Sequence, residues 1–547
     1  ARRGSSFEGV PTDAIATVRF WQEDTINTDT TYFTVRIQDL NTDYSKLISI
    51  PNIIKQSSGK TIDFSVYWHG NCSLYIDQYY IYDPYYKGLF LSDTEGTNNA
   101  ISSIVNALRS YPNVNNPAFA HFYIDEPTAA YFKSISRVSA IADSILPGKY
   151  INGAISNIYL EFLNLALYRR DNIPYIMVDN YPFIYGLGTS VIDVQPVLDS
   201  LIFKQETTGY GTGTKGYKAI IERANNNTPS VTSDDIPFIS VIQVQYEDKY
   251  NERYLRMPTP HEIKVQAWLS ICYGAKGLGY YSTTTQKQSL GGGDTLYCYG
   301  LLDYSKRSED GRYFDTTSAL QTNSRFDTVK ALNQKISLIE SDLMQLTWTN
   351  GYSIHKGQPS STYITNISSG DASTSTYVEL GLFKKTSDFT NSNLDYFMVV
   401  NRRTLSTESR NIAVTINKSS TYSCWKVTEV GTANSWIVAY NGSFTASYTP
   451  GEGKLFKLEP MFSGSTETLS GNVNFNSTLY INNNKTLTLQ AGSNLNFNNN
   501  SYIVINGTLT AVGTSTSRIT MTGATKGSWP GLSFSSTQKV YIIPLLR

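Results

Sequence analysis

Two adjacent carboxylates, Asp125 and Glu126, close the short apolar run Phe122-Tyr123-Ile124 and are followed at once by Pro127. Neighbouring acids repel, so the pKa of one rises while the other stays ionised. A protonated acid beside an ionised carboxylate is the equipment that glycosidic cleavage requires. Similar polar ends recur along the chain: Asp93, Asn157, Asp179 with Asn180, and Gln243 and Gln245 followed by Glu247 and Asp248. Tyrosines accompany them at 123, 181, 246 and 280, where a flat ring could stack on the CH face of a sugar.

These groups need strands to deliver them. Pro127 cannot donate to a sheet ladder, so the strand before it must stop there and leave both acids at its carboxyl end. Comparable apolar runs are Gly88–Ser92, Tyr150–Ile155, Pro174–Asp179, Pro237–Val244 and Gly277–Tyr281. Helical spacing separates them over 98–110, 129–146, 159–170, 194–203, 216–225 and 260–273. Continuous apolar strands alternating with helices predict a parallel sheet covered on both faces. Functional groups spread over many strand ends favour a TIM-type (β/α) barrel over a single switch-point crevice. Six such strands are two short of a full barrel, so the expectation is a cut N-terminus or an incomplete barrel closed in another way. Two tempting features have plainer readings. Thr259, Pro260 and Glu262 form a capping box with proline at the first helical position. Gly291-Gly292-Gly293-Asp294 lacks the Lys-Ser/Thr of a phosphate loop and reads as a flexible loop over the site.

Around this core the texture changes three times, dividing the 547 residues into 1–87, 88–345, 346–461 and 462–547. The first segment alternates like a jelly-roll β-sandwich and resembles carbohydrate-binding modules through Leu74-x-Ile76-Asp77-x-x-x-Ile81; its Trp68, Tyr75, Tyr79 and Tyr80 are read first as packing aromatics. The third alternates cleanly over 376–383, 396–401, 412–416, 424–428 and 453–458 and predicts a second sandwich. From Leu469 onward, short strands punctuated by Asn and Gly predict the opening coils of a parallel β-helix, truncated before any capping coil.

Lys+Arg and Asp+Glu are both 45, and a neutral chain lacks the footprint of a nucleic-acid binder. Charged residues are only 16%, and the polar surface is instead Asn, Ser, Thr and forty Tyr, a composition suited to sugars outside the cell. The cysteines at 72, 272, 298 and 424 form no CxxC pair, so neither a metal knuckle nor a redox motif is expected, and one incidental disulfide stays open. No apolar run reaches the roughly 20 residues of a membrane span, and Ala1–Gly4 has no apolar signal core.

Ile124-Asp125-Glu126-Pro127, Ile176–Pro182, Val241–Gln245, Pro258–Glu262 and Gly274–Tyr280 together resemble clan-A-type (β/α)8 glycoside hydrolases. The resemblance implies a secreted or cell-surface bacterial enzyme that cleaves a polysaccharide or oligosaccharide with retention, without cofactor or metal. It places the general acid/base on Glu126, with Asp125 standing where Asn is usual. The nucleophile falls near the end of the seventh strand, where Gln243 and Gln245 precede the acids Glu247 and Asp248. Asp179 and Asp93 compete for that role. Tyr123, Asn157, Asn180, Tyr181, Gln243, Gln245 and Tyr280 are the expected sugar contacts. The other function class is a non-catalytic glycan-binding or cell-surface structural protein with a degenerate barrel, which the glutamine pair on that strand favours. The oligomeric state stays open.

Overall fold

The computed structural model describes residues 2–22, 30–42, 62–76, 98–99, 102–103, 106, 121–125, 132–147, 150–156, 175–184, 194–203, 205–208, 211–214, 216–225, 235–249, 252–291, 294–306, 315–391, 393–418, 421–525 and 531–534. The expected strand at 88–92 and helix at 159–170, and the residues Asp93, Glu126, Asn157, Tyr79 and Tyr80, lie outside these. The chain divides into two compact units, residues 1–101 with 128–134, and 102–127 with 135–547.

In the first unit Ala14–Gln22 is the centre of an antiparallel three-stranded sheet, flanked by Thr30–Arg36 and Ile62–Trp68. A second ladder pairs Arg2–Phe7 with Cys72–Tyr75. The alternation noted in the sequence has a direct cause, because Val18, Phe20, Phe33, Val35, Phe64 and Val66 all point to one core. Trp68 and Tyr75, expected as packing aromatics, are 55% and 44% exposed.

The second unit is multidomain in texture and mostly β. Its α/β part contains five parallel strands: β1 (His121–Asp125), β2 (Tyr150–Ser156), β3 (Ile176–Asp179), β4 (Phe238–Gln243) and β5 (Gly277–Tyr281). They lie side by side in chain order, without the reversal of a doubly wound sheet. Among the described residues this sheet is open rather than closed into a barrel. Phe238, Ser240 and Ile242 of β4 are fully buried, and the Tyr217 hydroxyl from the helix Tyr217–Ala224 lies 2.9 Å from Ser240 Oγ. The helix Pro260–Cys272 has the capping box read from its sequence, Thr259 Oγ1 accepting from Glu262 N–H and Glu262 accepting from Thr259 N–H. Arg256 adds a bidentate ion pair that holds the fully buried Glu262 carboxylate. An antiparallel four-stranded sheet takes two strands after β4 and two after β5, Gln286–Gly291 pairing there with Asp294–Tyr299, while Gly292 and Gly293 of the glycine-rich stretch lie outside the described residues.

Beyond the helix Ser324–Ser337 a nine-stranded sheet begins at Leu346–Ser353. Six of its strands face the three-stranded sheet of Ile364–Ser368, Arg410–Ile416 and Gly442–Tyr448 across a core of Trp425, Trp436, Phe397, Phe444 and Phe456. The remaining three, Asn472–Phe475, Asn494–Phe497 and Thr520–Gly523, continue the same sheet in parallel from Asn434–Ala439. Two further parallel ladders stack beside them, one of Thr466–Leu469, Thr486–Leu489 and Thr508–Ala511, the other of Leu479–Ile481, Ile503–Ile505 and Leu532–Phe534. The chain visits the three ladders in rotation, with Leu, Ile, Val and Phe inward and Asn or Thr outward on two of them. Phe475 stacks on Phe497 at 4.5 Å in that interior.

All four cysteines are free and buried. No described helix is long and apolar enough to cross a membrane, and no group of three His, Cys, Asp or Glu able to hold a metal occurs among the described residues.

Candidate functional site at the strand ends

The register of the parallel sheet decides which positions share a face. Asp125 pairs with Ala154, Ala154 with Met177, Met177 with Ile239, and Ile239 with Gly277. The next row toward the carboxyl end runs Ser156, Asp179, Val241, Gly279. The pleat has period two, so these two rows and the pair Gln243–Tyr281 belong to one face of the sheet. Asp125 and Asp179 thus stand at the carboxyl ends of β1 and β3, two strands apart on that face. Positions 154, 156, 277 and 279 are Ala, Ser, Gly and Gly, and Ile239 and Val241 of β4 pack over the two glycines, within 3.2 and 3.4 Å of where a Cβ would stand.

That aromatic end is a pair. The rings of Tyr181 and Tyr281 stack at 5.5 Å, packed against Met177, Ile239 and Val241, and the Tyr281 hydroxyl accepts from Gln286 Nε2 at 3.2 Å. Tyr181 was legible in the sequence. Tyr281 was not, although its parity with Gly277 and Gly279 in the run Gly-Leu-Gly-Tyr-Tyr puts it on the same face as Asp179. Tyr280, the neighbouring expectation, points to the other side and donates to Asn333 Oδ1 at 2.6 Å, away from Asp179. Burial pushes its hydroxyl pKa well above the ordinary value.

The two glutamines are fully buried. Gln243 Oε1 accepts from Phe183 N–H at 2.9 Å, its Nε2 donates to the carbonyls of Phe183 and Arg256 at 3.3 Å, and its backbone is bracketed by Gln266. Its amide is therefore engaged in fixing the segment after β3 against the end of β4. Gln245 sits one step further, its N–H donating to the Tyr281 carbonyl at 3.1 Å.

Glu247 and Asp248 are each 8% exposed and lie on the antiparallel strand Tyr246–Lys249, not on the parallel sheet. Glu247 pairs in register with Cys298. The Cys298 thiol is pushed up to about 12, by burial first and then by the Glu247 charge, against the hydrogen bond from Ser282. Tyr246 stacks on Tyr299 at 4.2 Å with the Arg325 guanidinium over its ring, so this tyrosine is packed. Asn180 is half-buried next to Asp179. Tyr123 is placed by register opposite Asn152.

No family profile matches the chain, and no curated protein is similar to it. Among solved structures it is similar to a GH27 β-L-arabinopyranosidase from Geobacillus stearothermophilus, with a TM-score of 0.32 and 8% identity over 68% of this chain and 63% of that one. A variant of the same enzyme in complex with arabinose gives 0.31 and 9%, over 67% and 63%. An Anoxybacillus α-amylase gives 0.30 and 10%, over 69% and 72%. The chain thus spans less than two thirds of the arabinopyranosidase, and at such scores the likeness assigns no role to any residue.

Proposed function

We propose that the chain is a glycoside hydrolase whose site lies at the carboxyl ends of β1 to β5, part of a TIM-type barrel, acting on a polysaccharide or oligosaccharide. The observation that carries this reading is the register: Asp125 and Asp179 share one face, two parallel strands apart, beside the stacked Tyr181 and Tyr281. Glu126, adjacent to Asp125, is the proton donor of the reading, and Asp125 its ionised neighbour. Asp179 is the preferred second carboxylate, because Glu247 is engaged beside Cys298 on a different sheet. Retention is the stereochemical course we assign, which requires a carboxyl separation of about 5 to 5.5 Å when substrate is bound. Asn180 and the two stacked tyrosines would orient the sugar. The three rotating ladders after residue 465 we read as coils of a parallel β-helix, in a secreted or cell-surface bacterial protein.

The second reading, a glycan-binding protein without catalysis, draws on one feature. The end of β4 offers Gln243 and Gln245 where a carboxylate could have stood. Incubation with a panel of polysaccharides separates the two. Release of reducing ends, abolished by Glu126→Gln and by Asp179→Asn, supports hydrolysis; binding without release supports the alternative; and activity unchanged in both variants overturns the residue assignment.

A further inference from the structure

Lysine amines meet carboxylates at several places in the sandwich, and one of these meetings differs chemically from the rest. Asp395 opens the strand Asp395–Asn401, an inner strand of the nine-stranded sheet, and Lys418 lies two residues beyond Arg410–Ile416 of the facing three-stranded sheet. Lys418 Nζ is in direct contact with Asp395 Oδ2, and Lys384 Nζ lies 2.5 Å from Oδ1. The Asp395 side chain is 1% exposed and that of Lys418 10%. Despite the two amines beside it, neither Asp395 oxygen makes a hydrogen bond, and both are shut off from water. Lys384 has other acceptors, the carbonyls of Asn391 at 2.8 Å and Leu394 at 3.4 Å. Lys418 instead has the rings of Tyr363 and Trp425 at 5.2 and 5.1 Å. Burial, and then the Lys384 charge, lowers the Lys418 ammonium from its ordinary 10.5 to about 7, so that much of it is free amine at neutral pH. Lys426 is the contrast: although burial opposes it, Glu459 and Glu467 hold its ammonium above the ordinary value, where it is no nucleophile.

We propose that Lys418 and Asp395 condense into an isopeptide bond that staples the two sheets of the sandwich together. The step needs no reagent beyond these side chains. The Lys418 ammonium first passes a proton to Asp395 Oδ2, leaving a neutral amine and a carboxylic acid, a form that a water-poor site favours over separate charges. The Nζ lone pair then attacks Asp395 Cγ and forms the C–N bond. Negative charge gathers on Oδ1, where the Lys384 ammonium stands to receive it. Oδ2 takes a second proton from Nζ, the C–Oδ2 bond breaks, water leaves, and Oδ1 becomes the amide carbonyl. Contact inside the folded core makes the reaction intramolecular and supplies a high effective concentration. The product also replaces a buried carboxylate that lacks hydrogen bonds with a neutral amide. An ordinary ion pair would hydrogen-bond at such oxygens, as Lys426 does with Glu467 at 2.9 Å. The bond forms whether or not the α/β layer cleaves glycans.

Intact-mass spectrometry of the denatured full chain reads the bond directly. The mass should fall short of the sequence mass by one water, and a proteolytic map should show the peptide holding Asp395 joined to the peptide holding Lys418. Lys418→Arg keeps the cation but removes the nucleophile, and its mass should carry no deficit. Lys384→Met leaves the nucleophile in place and should slow the reaction by on the order of a hundredfold, read as a smaller cross-linked fraction at fixed times after synthesis. If Lys418→Arg does not fold, the wild-type map decides alone. A wild-type mass equal to the sequence mass, a water deficit that maps to other residues, or a deficit that survives in Lys418→Arg would overturn the proposal. An undiminished rate in Lys384→Met would remove Lys384 from the step.

Discussion

The Arg402 guanidinium and the Glu379 carboxylate meet at 3.2 Å with neither side chain exposed to water. Tyr273 and Ser353 also donate to that carboxylate, and Arg402 reaches on to Asp199 at 2.7 Å. Asp199 belongs to the helix Gln195–Phe203 and Tyr273 caps the helix Pro260–Cys272, whereas Ser353 and Glu379 are on sandwich strands. One buried charge cluster therefore fastens the α/β layer to the sandwich.

Removing one member should cost more than removing both. Arg402→Met leaves Glu379 buried and unpaired, an expected loss of about 3 to 5 kcal/mol, and adding Glu379→Met should restore part of it. Urea unfolding at neutral pH measures both. A loss below about 1 kcal/mol for the single variant would contradict the role of the cluster.

The same cluster should respond to acid through His355, which contacts Asp199 at 3.1 Å. Burial, then the Arg402 charge, holds the His355 pKa below its ordinary 6.5. Its folded form thus binds fewer protons than the unfolded one. The stability it contributes is present above 6.5 and is lost as pH falls from there toward the folded value. Asp199 is displaced downward too, Arg402 and His355 outweighing its burial, so its contribution is lost only in stronger acid. Glu379, raised by burial, has the opposite slope. The difference between wild type and His355→Gln cancels the other groups to first order and should grow as pH rises from 5 to 7.5; a flat difference would remove His355 from the account.

Close approach of backbones predicts a glycine effect. A Cβ on Gly381 would lie 2.1 Å from the Cys272 carbonyl oxygen, at the end of the helix that packs on this strand. Gly381→Ala should cost on the order of 1 to 3 kcal/mol by overpacking. Gly464→Ala, with nothing within 4 Å, should stay within about 0.5 kcal/mol. Thermal unfolding of the pair checks it.

On the stacked ladders, outward Asn and outward Thr should behave differently. Asn496 donates to Asn474 Oδ1 at 3.4 Å and accepts from Thr522 at 3.1 Å, while the Thr488 hydroxyl has no partner among the described residues. Asn496→Ala should cost about 1 kcal/mol and Thr488→Ala less than half of that. Phe497→Ala, which empties the stacked interior, should cost about 3 to 5 kcal/mol. Equal effects at 488 and 496 would deny the amide ladder any energetic role.

Elements whose pattern has one cause were readable from the chain. Thr486–Leu489 and Asn494–Phe497 alternate because one face is buried, and they fall where alternation puts them. Thr259 and Glu262 were readable because a capping box is local. The hairpin of Asn434–Ala439 and Gly442–Tyr448 was missed despite Asn441-Gly442, a strong turn signal whose Asn has φ 55°. Leu346–Ser353 was missed because Leu-Thr-Trp-Thr-Asn-Gly-Tyr-Ser keeps no period, a bulge shifting its register. At the candidate site, single strand ends were visible but their lateral rows were not. Which acid stands beside which depends on register between segments some fifty residues apart, and no local pattern encodes it. For the same reason Gln243 read as a sugar contact, where tertiary packing commits its amide to Phe183 and Arg256.

The strand Asn434–Ala439 is paired antiparallel on one side and parallel on the other. A stacked array grows in one dimension, and its first coil is the expensive one, because it must order itself with no neighbour. Here the sandwich supplies a finished edge on which Asn472–Phe475 can be laid down directly. The sandwich is thus a seed, and assembly should run outward from it, each coil templating the next.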